Sequence, residues 1–388
     1  MDWYKITNSE SLDTPALVVY PARVKENIRL AIAMVRDPAR LRPHVKTHKS
    51  PDVTRLLLAA GITRFKCATI AEAEMLAIEG APDVLLAYQP IGPKTQRLAT
   101  LIKKYSGTKF SCLIDNPDAA TAMAKVFATN GLTVPVYLDI NVGMDRTGIA
   151  PGDEALQLYK VAMEQNGITP VGLHAYDGHI RDTDLAERTR KCDEGFAKVE
   201  ALRKNIATLA TPASAAAPSA PALTIIAGGS PTFPVHAKRA QKIDASGQTL
   251  PVQCSPGTFV YWDKGYGDAF PDQPFQPAAL VVTRVISLRG ETRLCLDLGH
   301  KSIAPENELT RRVFFLNGPE LKPVGQSEEH LVVEAGAGHG YNIGDIFYGI
   351  PYHVCPTIAL YDRAITIESG RVTSTIWKNT ARDRILTV

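Results

Sequence analysis

Short apolar runs alternate with amphipathic stretches from about residue 15 to residue 235 of this chain. ALVVY (16–20) precedes RVKENIRLAIAMV, whose apolar residues recur at helical spacing. The same two-part unit returns as RLRPHV before SPDVTRLLLAAG, RFKCAT before AEAEMLAIEG, and DVLLAY before KTQRLATLIKKY. It continues as KFSCLID before DAATAMAKVFATNG and PVYLDIN before DEALQLYKVAMEQNG. PVGLHAY leads into a long charged segment, and TIIAGGS closes the series. About eight strand-like runs, each followed by a helix until the last, predict a parallel sheet closed into a (β/α)8 TIM-type barrel over residues 15–237.

The pattern changes after residue 237. AALVVTRVISL, RLCLDLGH, HLVVEA and RAITIES are strand-like, with Gly, Pro and Asn turns between them and little helical periodicity. They predict a second, mostly β C-terminal domain over residues 238–388, joined by residues 1–14. The Ala/Pro/Ser-rich segment 208–222 reads as a flexible surface connection within the barrel.

Composition narrows the classes of partner. A net charge of +3 from 43 basic and 40 acidic residues gives no electrostatic reason to expect nucleic acid or an anionic membrane. No apolar run is long enough to span a bilayer, and the polar MDWYKITNSESLDTP start is no signal peptide, so a cytoplasmic protein is expected. The six cysteines (67, 112, 192, 254, 295 and 355) are scattered singly, which predicts free thiols.

Six segments carry candidate chemistry. R-P-H-V-K-T-H-K (residues 42–49) ends an early strand-like run, where a barrel places its active site. Strand alternation would set His44, Lys46 and His48 on one side. A lysine held there among cations would have a lowered pKa, as a Schiff-base nucleophile requires; the other reading is a solvated basic loop. A-G-G-S-P-T (227–232) follows the run LTII. Its glycines let backbone approach a phosphate, with the hydroxyls of Ser230 and Thr232 as further donors, although such turns also occur without a ligand. C-S-P-G-T (254–258) is a similar turn. N-V-G-M-D-R-T-G-I (141–149) brings Arg146 to a strand end, and L-H-A-Y-D-G-H (173–179) brings His174, Tyr176 and His179 to another. In P-Y-H-V-C-P-T (351–357), an extended backbone would put His353 and Cys355 on one side, a donor pair suited to Zn2+ in an open site or to nothing at all.

The segments at 42–49, 141–149, 173–179, 227–232 and 351–357, in their order along the chain, resemble the fold-type III pyridoxal-phosphate (PLP) enzymes of the D-threonine aldolase and D-serine dehydratase group. The resemblance runs from about Leu12 to the end of the chain and implies an alanine-racemase-like barrel followed by a β domain. It implies that Lys46 holds pyridoxal 5'-phosphate as a Schiff base. Arg146 would contact the phenolic oxygen, and His174 and Tyr176 would line the ring. Gly228, Gly229, Ser230 and Thr232 would hold the phosphate, with Gly257 and Thr258. His353 and Cys355 would bind a divalent metal (Zn, Mn or Mg) beside the substrate's 3-hydroxyl, and His179 or His48 would take the hydroxyl proton. The group also implies a homodimer acting on a small D-amino acid. The expected reaction is retro-aldol cleavage of D-threonine to glycine and acetaldehyde. Dehydration of D-serine or D-threo-3-hydroxyaspartate is the alternative, which the H-x-C pair favours. A non-catalytic PLP-binding protein is the reading from another class.

Overall fold

Seven parallel strands hydrogen-bond side by side, from Arg64–Cys67 through Asp83–Leu86, Lys109–Ile114, Val134–Asp139, Ile168–Ala175 and Thr224–Ala227 to Val252–Cys254. Residues 41–44 run between the two edges of this sheet. Leu41 bridges Cys254 and His44 bridges Lys66, both in parallel sense. The Arg42 N–H donates to the Cys254 carbonyl at 2.9 Å, and the Lys66 N–H donates to the Pro43 carbonyl at 2.8 Å. The sheet is thereby closed into an eight-stranded barrel, as the alternation predicted. Arg42, 1% exposed, reaches both carboxylate oxygens of Asp83 (2.7 and 3.0 Å) and Gln253 Oε1 (2.7 Å), which ties neighbouring strands to the closing segment.

The barrel's membership differs from the expected one. Ala16–Val19 is buried at every position but lies in the other sheet, antiparallel to Ala279–Arg289. The eighth barrel place goes to the short Val252–Cys254, beyond the expected limit at residue 237. An apolar run of four says that a strand is buried on both faces, and not in which sheet.

The helices that follow the strands start and stop for local reasons. In Pro117–Thr129 the Asn116 side chain caps the Ala119 N–H, Pro117 sits in the first turn, and Asp118 complements the helix dipole. Its buried residues are Ala120, Met123, Ala124 and Phe127, one stripe at helical spacing. Burying Phe127 alone contributes roughly 2–3 kcal/mol. Thr69 caps the Glu72 N–H of Ile70–Ile78, and the Glu72 carboxylate reaches back to accept the N–H of Ala68, the residue before the cap.

The computed structural model describes residues 2–209, 223–239, 242–243 and 249–388. The segment read as a flexible connection lies outside them, except that its first two residues end the helix Leu185–Leu209. Two compact units result. One comprises Ala31–Lys46, Leu57–Gly257 and Asp383–Val388 and contains the barrel. The other comprises Met1–Leu30, Thr47–Leu56 and Thr258–Arg382, built on a nine-stranded sheet that is antiparallel apart from the pairing of Ala16–Val19 with Arg363–Glu368. No helix among the described residues is long and apolar enough to cross a membrane. All six cysteines are free, and Cys67, Cys112, Cys192 and Cys254 are buried.

Candidate active site

Strand ends in the barrel unit converge on a small cleft lined by Asp139, Asn141, Arg146, Thr147, His174 and Tyr176, among others. The loop after Val134–Asp139 is fixed by its own polar groups. The Asn141 side-chain Oδ1 accepts from the N–H groups of Gly143 (2.9 Å) and Asp145 (3.2 Å), and Asp145 adopts a φ of 50°. The exposed Arg146 projects from this loop, its guanidinium carbon 5.0 Å from the centre of the Tyr176 ring. Gly143, at φ 116°, leaves room for a neighbour: a Cβ there would come within 2.9 Å of His179 Nε2. His179, exposed, therefore lies against the loop that carries Arg146.

Beneath the cleft runs a buried row. Lys66 Nζ is 3.4 Å from His174 Nε2, and His174 Nδ1 is 2.8 Å from Asp139 Oδ1. The other Asp139 oxygen accepts from Gln89 Nε2 (3.0 Å) and Thr147 Oγ1 (2.9 Å). Burial opposes the charge on Asp139, yet its hydrogen bonds, led by that from His174, hold its pKa below the usual carboxylate value. Burial, then the charge of Lys66, lowers the pKa of His174. Lys66 is brought down to about 7, first by burial and then by the charge of Lys46.

Lys46 itself is exposed, within a 3-10 turn (Val45–Thr47) that ends the extended segment at His44. The expected alternation of His44, Lys46 and His48 therefore fails: His44 is half-buried, Lys46 exposed and His48 buried. The Ser50 N–H donates to His48 Nδ1 at 3.1 Å, which places the ring proton on Nε2, an atom with no hydrogen-bond partner. Burial first, then the charge of Lys49, pushes the His48 pKa down to about 3. With its one lone pair engaged, His48 is a poor base. It carries a pH signature instead. Between its ordinary value of 6.5 and about 3, the unfolded chain binds the proton and the folded chain does not, so stability falls as the pH falls through that window. The midpoint of thermal unfolding, followed from pH 6.5 to 3, is expected to fall less steeply in His48→Leu than in the wild type.

The two small-residue turns meet. The Gly257 N–H donates to Ser230 Oγ at 3.2 Å, and the Ser255 N–H donates to the Ala227 carbonyl at 3.2 Å. Gly228 has a φ of 77°, and a Cβ there would meet His236 Cδ2 at 2.5 Å; one on Gly229 would meet Tyr176 Cε2 at 2.8 Å. The turn thus admits only glycine at both places. Thr232 is fully buried and its hydroxyl is already engaged, donating to Asp177 Oδ1 at 2.6 Å and accepting the Gly229 N–H at 3.3 Å. In this geometry it shapes the turn.

Among the described residues, Asp177, Cys192 and His236 form a buried trio whose donor atoms could surround a metal. Hydrogen bonds account for each of them. Arg239 Nε donates to His236 Nδ1 (3.1 Å), His236 Nε2 donates to Asp177 Oδ2 (2.8 Å), and the Cys192 thiol lies 3.6 Å from the same oxygen. Burial, reinforced by Asp177, pushes the Cys192 thiol up to about 12. A metal-bound imidazole is normally supported by an acceptor at its other nitrogen, whereas Arg239 presents a donor. The trio reads as a brace for the turn bearing Thr232.

The pair singled out in the sequence lies in the other unit. His353 is the N-cap of the helix Val354–Leu360 and Cys355 is in its first turn, so the segment is not extended as expected. The two side chains are nonetheless within hydrogen-bonding reach. His353 Nδ1 is 2.6 Å from Glu306 Oε1, which leaves Nε2 as the nitrogen able to ligate a metal. Burial opposes the charged ring, but Cys355, Asp263 and Glu306 raise His353 to about 9. Cys355 Sγ lies 3.2 Å from Thr47 Oγ1 and 3.9 Å from Thr258 Oγ1. Imidazole, thiol and a carboxylate behind the imidazole fit a borderline divalent cation.

Residues 19–230, more than half of the chain, match the family described as "Alanine racemase, N-terminal domain". The chain belongs to this family. Residues 278–367 match a second family, described as "Putative serine dehydratase domain". A D-threonine aldolase of Arthrobacter sp is 28% identical over 96% of this chain and 93% of its own length. A D-threo-3-hydroxyaspartate dehydratase of Delftia sp. (strain HT23) is 31% identical over 46% of this chain and 49% of its own. The crystal structure of a D-threonine aldolase from Filomicrobium marinum superposes with a TM-score of 0.82, at 24% identity, over 98% of both chains. The chain is thus a member of the fold-type III PLP group, and the relatives support a lyase reaction.

Sequence reasoning missed Lys66, Asp139, Gln89 and the brace. Asp139 carried a signal, as an acidic residue ending an apolar barrel strand. Lys66 carried a fainter one, a lysine between Phe65 and Cys67 in a buried strand.

Proposed function

We propose that this protein is a PLP- and divalent-metal-dependent lyase that cleaves D-3-hydroxy amino acids, D-threonine giving glycine and acetaldehyde. The observation that carries the reading is the 3.2 Å approach of Thr47, the residue after Lys46, to Cys355. It puts one member of the ligand pair beside the immediate chain neighbour of the candidate cofactor lysine. The cofactor when bound supplies an electron sink at Cα, and the metal a Lewis acid for the 3-hydroxyl. The chain's own groups do the rest. The Lys46 amine carries the cofactor. Arg146, Tyr176 and His174 orient its ring, and the turn at Gly228, Gly229 and Ser230, with Gly257 and Thr258, receives the phosphate. His353 and Cys355 hold the metal, with zinc favoured by the thiol. His179 takes the hydroxyl proton, being exposed where His48 is buried and already bonded.

Dehydration is the second reading, favoured by the thiol at residue 355 and by the 31% identity to a dehydratase. Product analysis with D-threonine separates the two. Glycine and acetaldehyde are expected from protein supplied with PLP and zinc. Ammonia and 2-oxobutanoate would replace the aldolase with the dehydratase. Neither pair, with D-serine and 3-hydroxyaspartate also inert, would leave a cofactor-binding protein without this activity.

A further inference from the structure

We propose that Lys66 is a positioning residue of the site, holding His174 in one neutral tautomer through the buried row Lys66–His174–Asp139. The inference rests on the proposed function for its purpose and on geometry for its content. Lys66 is 2% exposed, His174 5% and Asp139 4%, so each polar atom of the row must find its partner inside the protein. Asp139 Oδ1 accepts the proton of His174 Nδ1, which leaves an unprotonated Nε2 in a buried place. Lys66 Nζ, at 3.4 Å, is the donor that satisfies it. Charged or neutral, an amine keeps an N–H to donate. A second proton on the imidazole would instead set it against that amine.

The surroundings act in the same direction. Lys66 feels the cations Lys46 and Arg42 and the anions Asp139 and Asp177, and its Nζ stands 5.8 Å from the centre of the Tyr176 ring. His174 feels Lys66 and Arg146 as cations and Asp139 as an anion. Asp139 is held by Gln89 and by Thr147, the residue after Arg146. The row therefore ends on the loop that presents Arg146, and it keeps the ring of His174 uncharged and fixed at the wall of the cleft. Lys66 acts through His174, so its removal is read in His174 and in cofactor binding.

The test is nitrogen NMR of histidine-labelled protein, with and without PLP, together with PLP titration. In the wild type we expect His174 protonated at Nδ1 and accepting at Nε2, with its shifts stepping near pH 7 as Lys66 titrates. Lys66→Gln keeps a donor: the tautomer and the PLP affinity should persist, within about threefold, while the step disappears. Lys66→Met removes the donor: the tautomer should be lost and PLP should bind roughly tenfold more weakly, the order of effect of one buried hydrogen bond. Wild-type His174 signals and affinity in Lys66→Met would overturn the proposal. If that variant does not fold, a pH step that survives in Lys66→Gln overturns it equally. A wild type that shows the tautomer but never binds PLP covalently would defeat the proposed function and leave the row intact.

Discussion

Replacing Lys46 with alanine is expected to abolish the visible absorbance band of covalently bound cofactor and to lower kcat/KM for D-threonine by about 10³-fold or more, the scale of losing a covalent catalytic group. The reason is positional. Lys46 occupies the turn that ends the barrel's closing segment, at the strand-end face where such barrels do their chemistry, and its amine is exposed. Lys66 is the instructive control. It too is an amine in the barrel unit, near-neutral in pKa, but it is buried and committed to His174. Absorbance and borohydride trapping of both variants decide between them. The band should vanish in Lys46→Ala and survive in Lys66→Gln. The reverse result would transfer the covalent role to Lys66 and remove the centre of the proposed function.

The second large effect is expected at the ligand pair. His353→Ala should lose bound zinc and at least about 100-fold in turnover while keeping the cofactor band, because a two-donor site has no spare ligand. Glu306→Gln should be milder, weakening zinc roughly 10- to 100-fold, since the 2.6 Å contact orients His353 Nδ1 without touching the metal. Equilibrium dialysis against zinc, with absorbance recorded on the same samples, measures both. Turnover in His353→Ala equal to the wild type after chelation would exclude the metal role, whatever the fate of PLP.

These expectations depend on different levels of information. The motif at residues 42–49 marks Lys46 from its neighbours alone, but only the tertiary structure shows that a 3-10 turn interrupts the strand there. That turn exposes Lys46 while His48 goes into the interior, because alternation holds only while the backbone stays extended. Arg146 and Tyr176 were likewise legible as strand-end residues, and their 5.0 Å approach was not. Thr232 reads from the sequence as a phosphate donor, while only the tertiary structure shows its hydroxyl bonded to Asp177, 55 positions away. The pairing of Lys66 with His174 spans 108 positions, which no local pattern encodes.

The same division holds for the fold. Periodicity alone determined that this chain alternates buried strands with one-faced helices and then turns to antiparallel β structure, because burial imposes a period of two or 3.6 on the residues themselves. Local chemistry likewise determined the caps, as at Asn116 and Thr69. Only the tertiary structure decided that Ala16–Val19 pairs with Ala279–Arg289, and that Val252–Cys254, with residues 41–44, completes the barrel. A short apolar strand satisfies its side chains in either sheet. Which backbone receives its hydrogen bonds is settled by segments far away in the sequence, and so is the pairing of Lys66 with His174.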